Sequence, residues 1–473
     1  MLTTRNPSQT LWETILPECL LPLPAGLAEV DKLLDDPSFF EPFRPFFSPY
    51  FGRPSIPVET YLRMMYLRFR YRLGYEMLCT EVTDSLAWRR FCRIALGERV
   101  PHPSTLEKIT SRCGEQLICE LNERLLAKAA AEKVLRLDKV RVDTTVLPAN
   151  VAYPPDSGLL AKGVAKMARL IKRLQAAGLA TRTVTRDRTR SVRRRAHDIG
   201  AWLRRRSDEA KAEVLAITAQ LAGIGEVAAA EALSVARNAR RSIARAGGQT
   251  SGRVLAMIAE LEHTAALMEQ IVAQTRVRVT GTIPDGAIRI VSLHDEDARP
   301  IRKGRLGKPV EFGYKAQIAD NSDGIVLDYE VHLGNPPDAP MLEPAIARIK
   351  KRFGRAPRSV TADRGYGEAG VEEAVRAIGV KTVVIPRKGK PSAARREIQR
   401  KSGFVKLVKW RTGSEARVSI LKHNWGWSRT LMDGQDGAST WAGWGVFGHN
   451  SNKISQLVHE RAGPPGKRAT RSA

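Results

Sequence analysis

The hydrophobic pattern of this chain changes period several times, and the changes divide it. From Pro57 apolar positions recur every three or four residues. Leu62, Met64, Met65, Leu67 and Phe69 form one stripe, and Arg63, Arg68, Arg70 and Arg72 form a basic one. Gly74 ends that helix, residues 75–85 and 86–96 read as two more, and Pro103-Ser104-Thr105 caps a fourth that starts at Leu106. Short helices with basic faces suggest a DNA-binding or dimerisation domain over 56–130, or a plain bundle whose arginines are only solvated. Ahead of it, residues 1–55 are rich in Pro and Phe (FFEPFRPFFSPYFGRPS) and read as an irregular aromatic wrap.

At Leu135 the period drops from about 3.6 to 2. In LRLDKVRVDTTVL the apolar residues alternate, which predicts a strand with Asp143 facing away from its Val neighbours. Pro148 and the Pro154-Pro155 pair close it, so 131–156 is expected to hold the first strand of a sheet. Residues 157–275 return to helix, Ala-rich and Arg-rich, with amphipathic stretches such as AEVLAITAQLAGI and VLAMIAELEHTAALMEQIV. Strands are predicted again over 288–293, 312–318 and 325–331, with Asp323-Gly324 as the hairpin turn between the last two. A helix over 341–353, a strand over 359–362, a helix over 368–378 and a strand over 380–385 follow. After the basic loop RKGKPSAARR come one helix from about Lys409 to Lys422 and another in WAGWGVFGHNSNKISQLV. Removing the 157–275 insertion leaves an α/β unit whose mixed sheet is completed by 276–459, and 460–473 reads as a disordered basic tail.

Charge sharpens this outline. The 473 residues carry 77 Lys+Arg against 50 Asp+Glu, a net charge of +27. An excess of that size implies a polyanionic partner: nucleic acid first, an anionic membrane surface second, ribosomal or histone-like packing third. Ten arginines lie between Arg182 and Arg206, including Arg193, Arg194, Arg195 and Arg204, Arg205, Arg206, and only Asp187 and Asp198 offset them. A solvated, ion-paired coiled coil explains the later part of the insertion but not this run. Lys303, Arg305 and Lys308 in RKGRLGK are further candidates for phosphate contacts. The five cysteines form no C-x-x-C pair, which argues against zinc ribbons and disulfide frameworks and fits a reducing compartment. With no signal-like N-terminus and no run of about 18 apolar residues, a cytoplasmic, nucleoid-associated protein is expected.

Three acids stand at telling places. Asp143 lies late in the first strand, and Asp363 follows the apolar strand SVTA, just before Arg364-Gly365-Tyr366-Gly367. Ligands of α/β sheets gather beyond the carboxyl ends of strands. Glu415 lies on the segment RTGSEARVSILK, where a single helix would place Arg411, Glu415 and Lys422 on one face. Taken singly, each acid has an ordinary structural reading, as a turn, a cap or an ion-pair partner. The ordered trio is the set that two-metal phosphoryl chemistry needs, with two Mg2+ (or Mn2+) ions roughly 3.5–4 Å apart held by carboxylates.

The segment 288–454 resembles the DDE transposases of bacterial insertion sequences, the group marked by a tyrosine–arginine–glutamate–lysine helix. The pieces that carry the resemblance are SLHDEDARPIRKGRLGKPVEFGYKAQIAD, GNPPDAPML, VTADRGYG, GVKTVVIPRKGK, WRTGSEARVSILK and WAGWGVFGHNSNKIS. Residues 55–112 resemble the helical N-terminal domain of the same group. The resemblance implies a ribonuclease H-like catalytic domain with Asp143, Asp363 and Glu415 as catalytic and metal-binding residues. It also implies Arg411 and Lys422 as DNA contacts, and Arg364 beside the second acid joins them as a candidate. Val408 stands where the family has its tyrosine, with Trp410 nearby. The implied activity is cleavage of double-stranded DNA at terminal inverted repeats and transfer of the freed 3′-hydroxyl into target DNA, with a homodimer pairing the ends.

Other residues carry weaker signals. His294-Asp295-Glu296-Asp297 resembles a metal cluster but reads better as a turn, and Asp338 either shapes the site or caps a loop. Trp425, Trp427, Trp441 and Trp444 point to core packing, with Trp427 the candidate for stacking on a frayed end base. A structure-specific nuclease on the same fold, an inactive DNA-binding repressor and an architectural nucleic-acid-binding protein are the competing functions.

Overall fold

The alternating segment after Leu137 folds as strand β1 (Lys139–Pro148), with Val140 and Val142 fully buried on one face. In the computed structural model, which describes residues 1–4, 17, 22–151, 156–205, 207–302 and 309–462, the chain is mixed α/β, with a mixed sheet and flanking helices. Two units emerge: Met1–Pro148 with Lys315–His332 and Pro336–Ala473, and Ala149–Tyr314 with Leu333–Asn335.

In the first unit β1 pairs in parallel with β5 (Ser359–Ala362), and β5 pairs in parallel with β6 (Thr382–Val384). On its other edge β1 meets β3 (Val310–Asn321), which continues through a tight turn at Asn321–Gly324 into antiparallel β4 (Val326–His332). The predicted Asp323-Gly324 turn is there, and Gly324 adopts φ +84, which suits a residue without Cβ. Strand β2 (Arg299–Arg302) pairs antiparallel with the first residues of β3, within the second unit.

The helices of the first unit are α1 (Ala25–Leu34), α2 (Val58–Tyr71), α3 (Tyr75–Asp84), α4 (Leu86–Phe91) and α5 (Pro103–Ala131), before the sheet. The second unit contributes α6 (Asp156–Ala176), α7 (Thr189–Trp202), α8 (Asp208–Arg245) and α9 (Gly252–Val279). The first resumes with α10 (Ala339–Phe353), α11 (Val371–Ala377), α12 (Ala393–Arg400), α13 (Ser402–Arg411), α14 (Gly413–Asn424) and α15 (Gly434–Ala462). Helix α15 packs on α1, α2, α5 and β4. Phe69 of α2 lies 4.8 Å from Trp441 and 6.4 Å from Trp444, ring to ring, so aromatic packing joins the N-terminal helices to the last one.

Several expectations need correction. The segment 1–55 is not wholly irregular: residues 25–34 are α-helical, and short 3-10 turns carry Phe39 and Phe43 into the core. Residues 288–293 form no strand; the backbone there turns, and Ile290 is tied to Gln274 of α9 instead of to a neighbouring strand. The basic stripe on α2 is only partly a surface: Arg70 and Arg72 are exposed, but Arg63 is fully buried against Asp31 and Asp35, and Arg68 stacks 3.7 Å over the Tyr75 ring. Residues 460–462 belong to α15, whereas 463–473 lie outside the described residues.

In the second unit α6, α8 and α9 enclose a core of Leu160, Met167, Leu221, Ala232, Met268 and Ile271. By length and composition α8 alone among the described helices is apolar enough to cross a membrane; its buried residues face this core.

Helix α15 also buries His449. Its ring Nε2 lies 3.0 Å from the Gly324 carbonyl and 3.1 Å from Nη1 of Arg417. Burial, then the Arg417 charge, pull its pKa down to about 3, with Lys453 adding in the same sense. An unfolded histidine titrates near 6.5, so the unfolded chain binds the extra proton below that pH. Stability from the neutral ring is therefore complete above about pH 6.5 and lost as pH falls toward 3, by roughly 1.4 kcal/mol per unit. The thermal unfolding midpoint should drop between pH 6.5 and 4.5, and His449→Gln should flatten that drop; an equal drop in both proteins would place the proton elsewhere.

Candidate active site

Parallel pairing sets the geometry. Val142 of β1 is in register with Ala362 of β5, so Asp143, in the middle of β1, follows beside Asp363, the residue just past the end of β5. Adjacent strands lie about 4.8 Å apart, and residues in register point to the same face. Each carboxylate is oriented by its surroundings. Asp143 accepts the amide of Thr144 at 2.8 Å on one oxygen and the hydroxyl of Ser414 at 2.5 Å on the other. Asp363 caps the short 3-10 turn Arg364–Tyr366 and accepts the Gly365 amide at 2.8 Å.

A third carboxylate lies beside them. Asp338, at the start of α10, accepts from Thr144 Oγ1 at 3.1 Å and pairs with Lys315 of β3 at 2.6 Å. A Cβ on Gly365 would stand 2.6 Å from an Asp338 oxygen and 3.0 Å from an Asp363 oxygen, so the glycine admits both acids to one side of the turn. Tyr366 is buried beneath, takes a hydrogen bond from Gln317 at 3.0 Å, and has its pKa pushed well up by burial.

The electrostatics of the pair are unbalanced. Burial raises the Asp143 carboxyl above the usual carboxylate range; the Ser414 hydrogen bond opposes this, while the Asp363 charge adds to it. Arg411 helps only at 3.6 Å. Two adjoining carboxylates with hard oxygen donors and incomplete neutralisation fit a hard divalent cation. Among the described residues no group of three or more His, Cys, Asp or Glu side chains is arranged to hold a metal ion.

Glu415 stands in the first turn of α14, exposed, immediately after the Ser414 that binds Asp143. The expected single helix over 409–422 is two: α13 ends at Arg411 and α14 starts at Gly413, broken at Thr412. Arg411, Glu415 and Lys422 therefore do not share one helical face, and Arg411 pairs with Asp143 rather than with Glu415. Lys422 is half-buried in the last turn of α14.

The break is held by a residue that the sequence did not single out. Arg141, two residues before Asp143 and so on the same face of β1, is 8 % exposed. Its guanidinium grips Asp320 of β3 through two hydrogen bonds, 2.8 and 2.7 Å long. It also donates to the Trp410 carbonyl at 3.1 Å and lies 4.8 Å from the Trp410 ring. Arg417 of α14 reaches the same Asp320 at 3.1 Å. Gly413 is required where it stands, because a Cβ there would meet Arg141 Nη1 at 2.3 Å.

The remaining candidates are dispersed. Arg364 is exposed and donates to the Gly389 carbonyl at 3.0 Å. Lys303, Arg305, Lys308 and Arg206 lie outside the described residues. On α7, Arg193 and Arg194 are exposed, but Arg195 is engaged by Ser191 and Gln220. Arg204 and Arg205 are exposed, with Arg205 4.3 Å from the Trp202 ring. Asp295, in the His294–Asp297 stretch, is buried in a turn and accepts from Tyr314. Trp427 is fully buried, with its ring N–H given to the Ala442 carbonyl at 3.1 Å, which removes it as a base-stacking platform.

Comparison with known families now bears on the site. The profile described as Transposase domain (DUF772) matches residues 17–112, and that described as Transposase DDE domain matches residues 271–450. This chain belongs to the DDE transposases of the insertion-sequence type. The DDE match contains Asp363 and Glu415 but not Asp143, which parallel strand pairing places beside Asp363. An uncharacterized protein, ORF8 in the nfe locus of Rhizobium meliloti, is 30 % identical over 140 residues, covering 28 % of this transposase and 67 % of that protein. No solved structure matches.

Two substitutions test the anchor under the candidate site. Arg141→Met removes one partner of a buried pair, so the unfolding transition should lose roughly 3 kcal/mol. Gly413→Ala should cost about 1–3 kcal/mol by overpacking. Urea unfolding followed by tryptophan fluorescence reads both, and a Gly413→Ala protein as stable as the parent would show that Arg141 moves aside freely.

Proposed function

We propose that this transposase cuts DNA at transposon ends and joins the freed 3′-hydroxyl to target DNA, with Asp143, Asp363 and Glu415 as its catalytic carboxylates on a ribonuclease H-like domain. The observation that carries the reading is the register of β1 on β5, which sets Asp143 of β1 beside Asp363, just beyond the carboxyl end of β5. Asp143 and Asp363 would hold a Mg2+ or Mn2+ ion, and Glu415, one residue beyond Ser414, would complete the set for a second. Such ions supply an activated water and neutralise the leaving oxygen.

The chain's own groups have distinct tasks in this reading. The Thr144 amide and the Ser414 hydroxyl fix the rotamer of Asp143, and the Gly365 amide fixes that of Asp363. Arg411, held near Asp143, is placed to take a phosphate oxygen on its planar fork once DNA enters. Lys422, Arg364, the exposed arginines of 182–206 and the basic stretch 303–308 are proposed as backbone contacts. Pairing of two ends by a homodimer belongs to the same reading.

Asp143→Asn and Asp363→Asn should each abolish Mg2+-dependent nicking of an end-bearing duplex while duplex binding persists. Arg411→Lys should lower the nicking rate by about tenfold although charge is kept, because a point charge cannot grip two oxygens. Denaturing gels of a labelled end substrate read the cut strand and the joined product together. Cleavage without any joined product would leave a nuclease, and full activity of Asp363→Asn would remove the proposed site.

A further inference from the structure

The second unit carries two basic concavities, and they differ in one respect. The first lies between α6 and the segment leading into α7. There Lys172 is paired with Asp187 at 2.6 Å and Arg188 with Glu231 at 2.7 Å, so two of its three cations are neutralised internally. The second is a groove of about 560 Å3 lined by α6, α7 and α9. Lys162, Lys166, Arg169 and Arg173 line it from α6, and Arg193 from α7. Their steps of four, three and four residues place the four α6 cations on one helical face. The one carboxylate in its wall is Glu260, which pairs with Lys166 at 3.1 Å. Among the described residues Lys162, Arg169, Arg173 and Arg193 form no ion pair, and all four are exposed.

We infer that this groove is a binding site for the phosphodiester backbone of duplex DNA, distinct from the carboxylate site. The inference rests on the transposase reading for the kind of polyanion and names a surface built mainly by α6, to which the run 182–206 contributes only Arg193. The eleven steps from Lys162 to Arg173 span about 16 Å of helix at 1.5 Å each. One strand of a duplex presents a charge every 3.4 Å or so along the axis, so about five phosphates pass the row. The row meets them with three unpaired cations and Lys166, which pairs with Glu260, and Arg193 of α7 adds a further cation to the groove. Lysine and arginine side chains without base-reading geometry bring charge and position, not sequence. The groove therefore holds DNA without regard to sequence, as a site for flanking or target DNA would.

The opposing face anchors this arrangement. Leu160, Val164, Met167, Leu170 and Leu174 of α6 are buried in the unit's core, so the row of cations cannot rotate inward. Val192 and Ile199 fix α7 in the same way. The cations are thus presented on a fixed scaffold, with no ordering of helices left to be done on binding.

The test uses the full chain with Ca2+ in place of Mg2+, and a 30-bp duplex free of transposon-end sequence as the probe. Fluorescence anisotropy gives log K against log salt. Lys162→Gln/Arg169→Gln/Arg173→Gln should lower affinity about tenfold or more at ~0.1 M salt and shallow the slope by about 2.7, at roughly 0.9 for each phosphate no longer neutralised. Lys172→Gln, whose charge Asp187 neutralises, is the control and should leave the slope nearly unchanged. Circular dichroism verifies that the exposed substitutions keep the helices, and Arg193→Gln alone should shallow the slope by about 0.9. A parental slope in the triple variant would overturn the groove while leaving the transposase reading intact. Parental protein that nicks end DNA in Mg2+ yet shows no salt-dependent binding to the end-free duplex would also overturn it. Absence of both nicking and duplex binding would instead sink the reading on which the groove rests.

Discussion

The pair Arg141–Asp320 is the constraint on which the site depends. It is a bidentate charge pair inside the sheet, between β1 and β3, with Asp320 fully buried. A buried pair of this kind is a poor source of net stability, because desolvation offsets most of the attraction. Its effect is positional. One guanidinium, satisfied on the strand side by Asp320, has its remaining N–H directed at the Trp410 carbonyl, where α13 ends. Arg417 fastens the next helix to the same carboxylate, and Ser414 between them reaches Asp143. The strand that presents the first acid and the helix that carries Glu415 are therefore tied through the same few atoms, and Gly413 leaves room for them.

Much of this was legible in the sequence, for physical reasons that differ by element. Period-2 alternation around Asp143, the Asp-Gly turn before Ile325 and the apolar SVTA run reported strands where they form, with ends off by up to four residues, because burial on one face dictates the pattern. The chain from β3 to β6 was readable for the same reason. The segment 288–293 misled because short apolar runs fit a buried coil as well as a strand, and here a glutamine of α9 takes the backbone bonds a neighbouring strand would have taken. The Arg411–Lys422 stretch misled because helical spacing holds on both sides of Thr412, and a break that keeps helical dihedrals at the junction leaves no mark in the pattern. Asp338 could be read from the sequence either as part of the site or as a loop cap. Its link to Lys315 and Thr144 joins residues distant along the chain, which periodicity does not encode.

The acids show how local and global information divide. Asp143 was picked out as late in the first strand and Asp363 as following the SVTA strand; Asp143 stands in the middle of β1, and strand pairing makes the two neighbours. What the sequence could not supply was their protonation. Burial raises Asp143 first, and the second carboxylate pushes the same way, so the pair resists carrying two charges. Asp338 escapes that conflict by its bond to Lys315. A divalent ion between the two aspartates would relieve the repulsion that burial strengthens at Asp143.

Net charge, finally, is a statement about composition and not about surface. The +27 excess predicted a polyanionic partner, yet part of the arginine that makes it never meets solvent. Arg63 is buried between two aspartates, Arg68 lies over Tyr75, Arg89 gives its fork to the carbonyls of Ala95, Leu96 and Glu98, and Arg141 holds the sheet. These are structural cations, each immobilised by acceptors or rings that a DNA phosphate would have to displace. The cations free to act are those whose neighbours are apolar or absent. On α6 that condition is met because one face is needed for the core, and every basic residue is thereby forced to the other. Amphipathicity, required for the helix to pack at all, is what turns a scattered excess of charge into an ordered row.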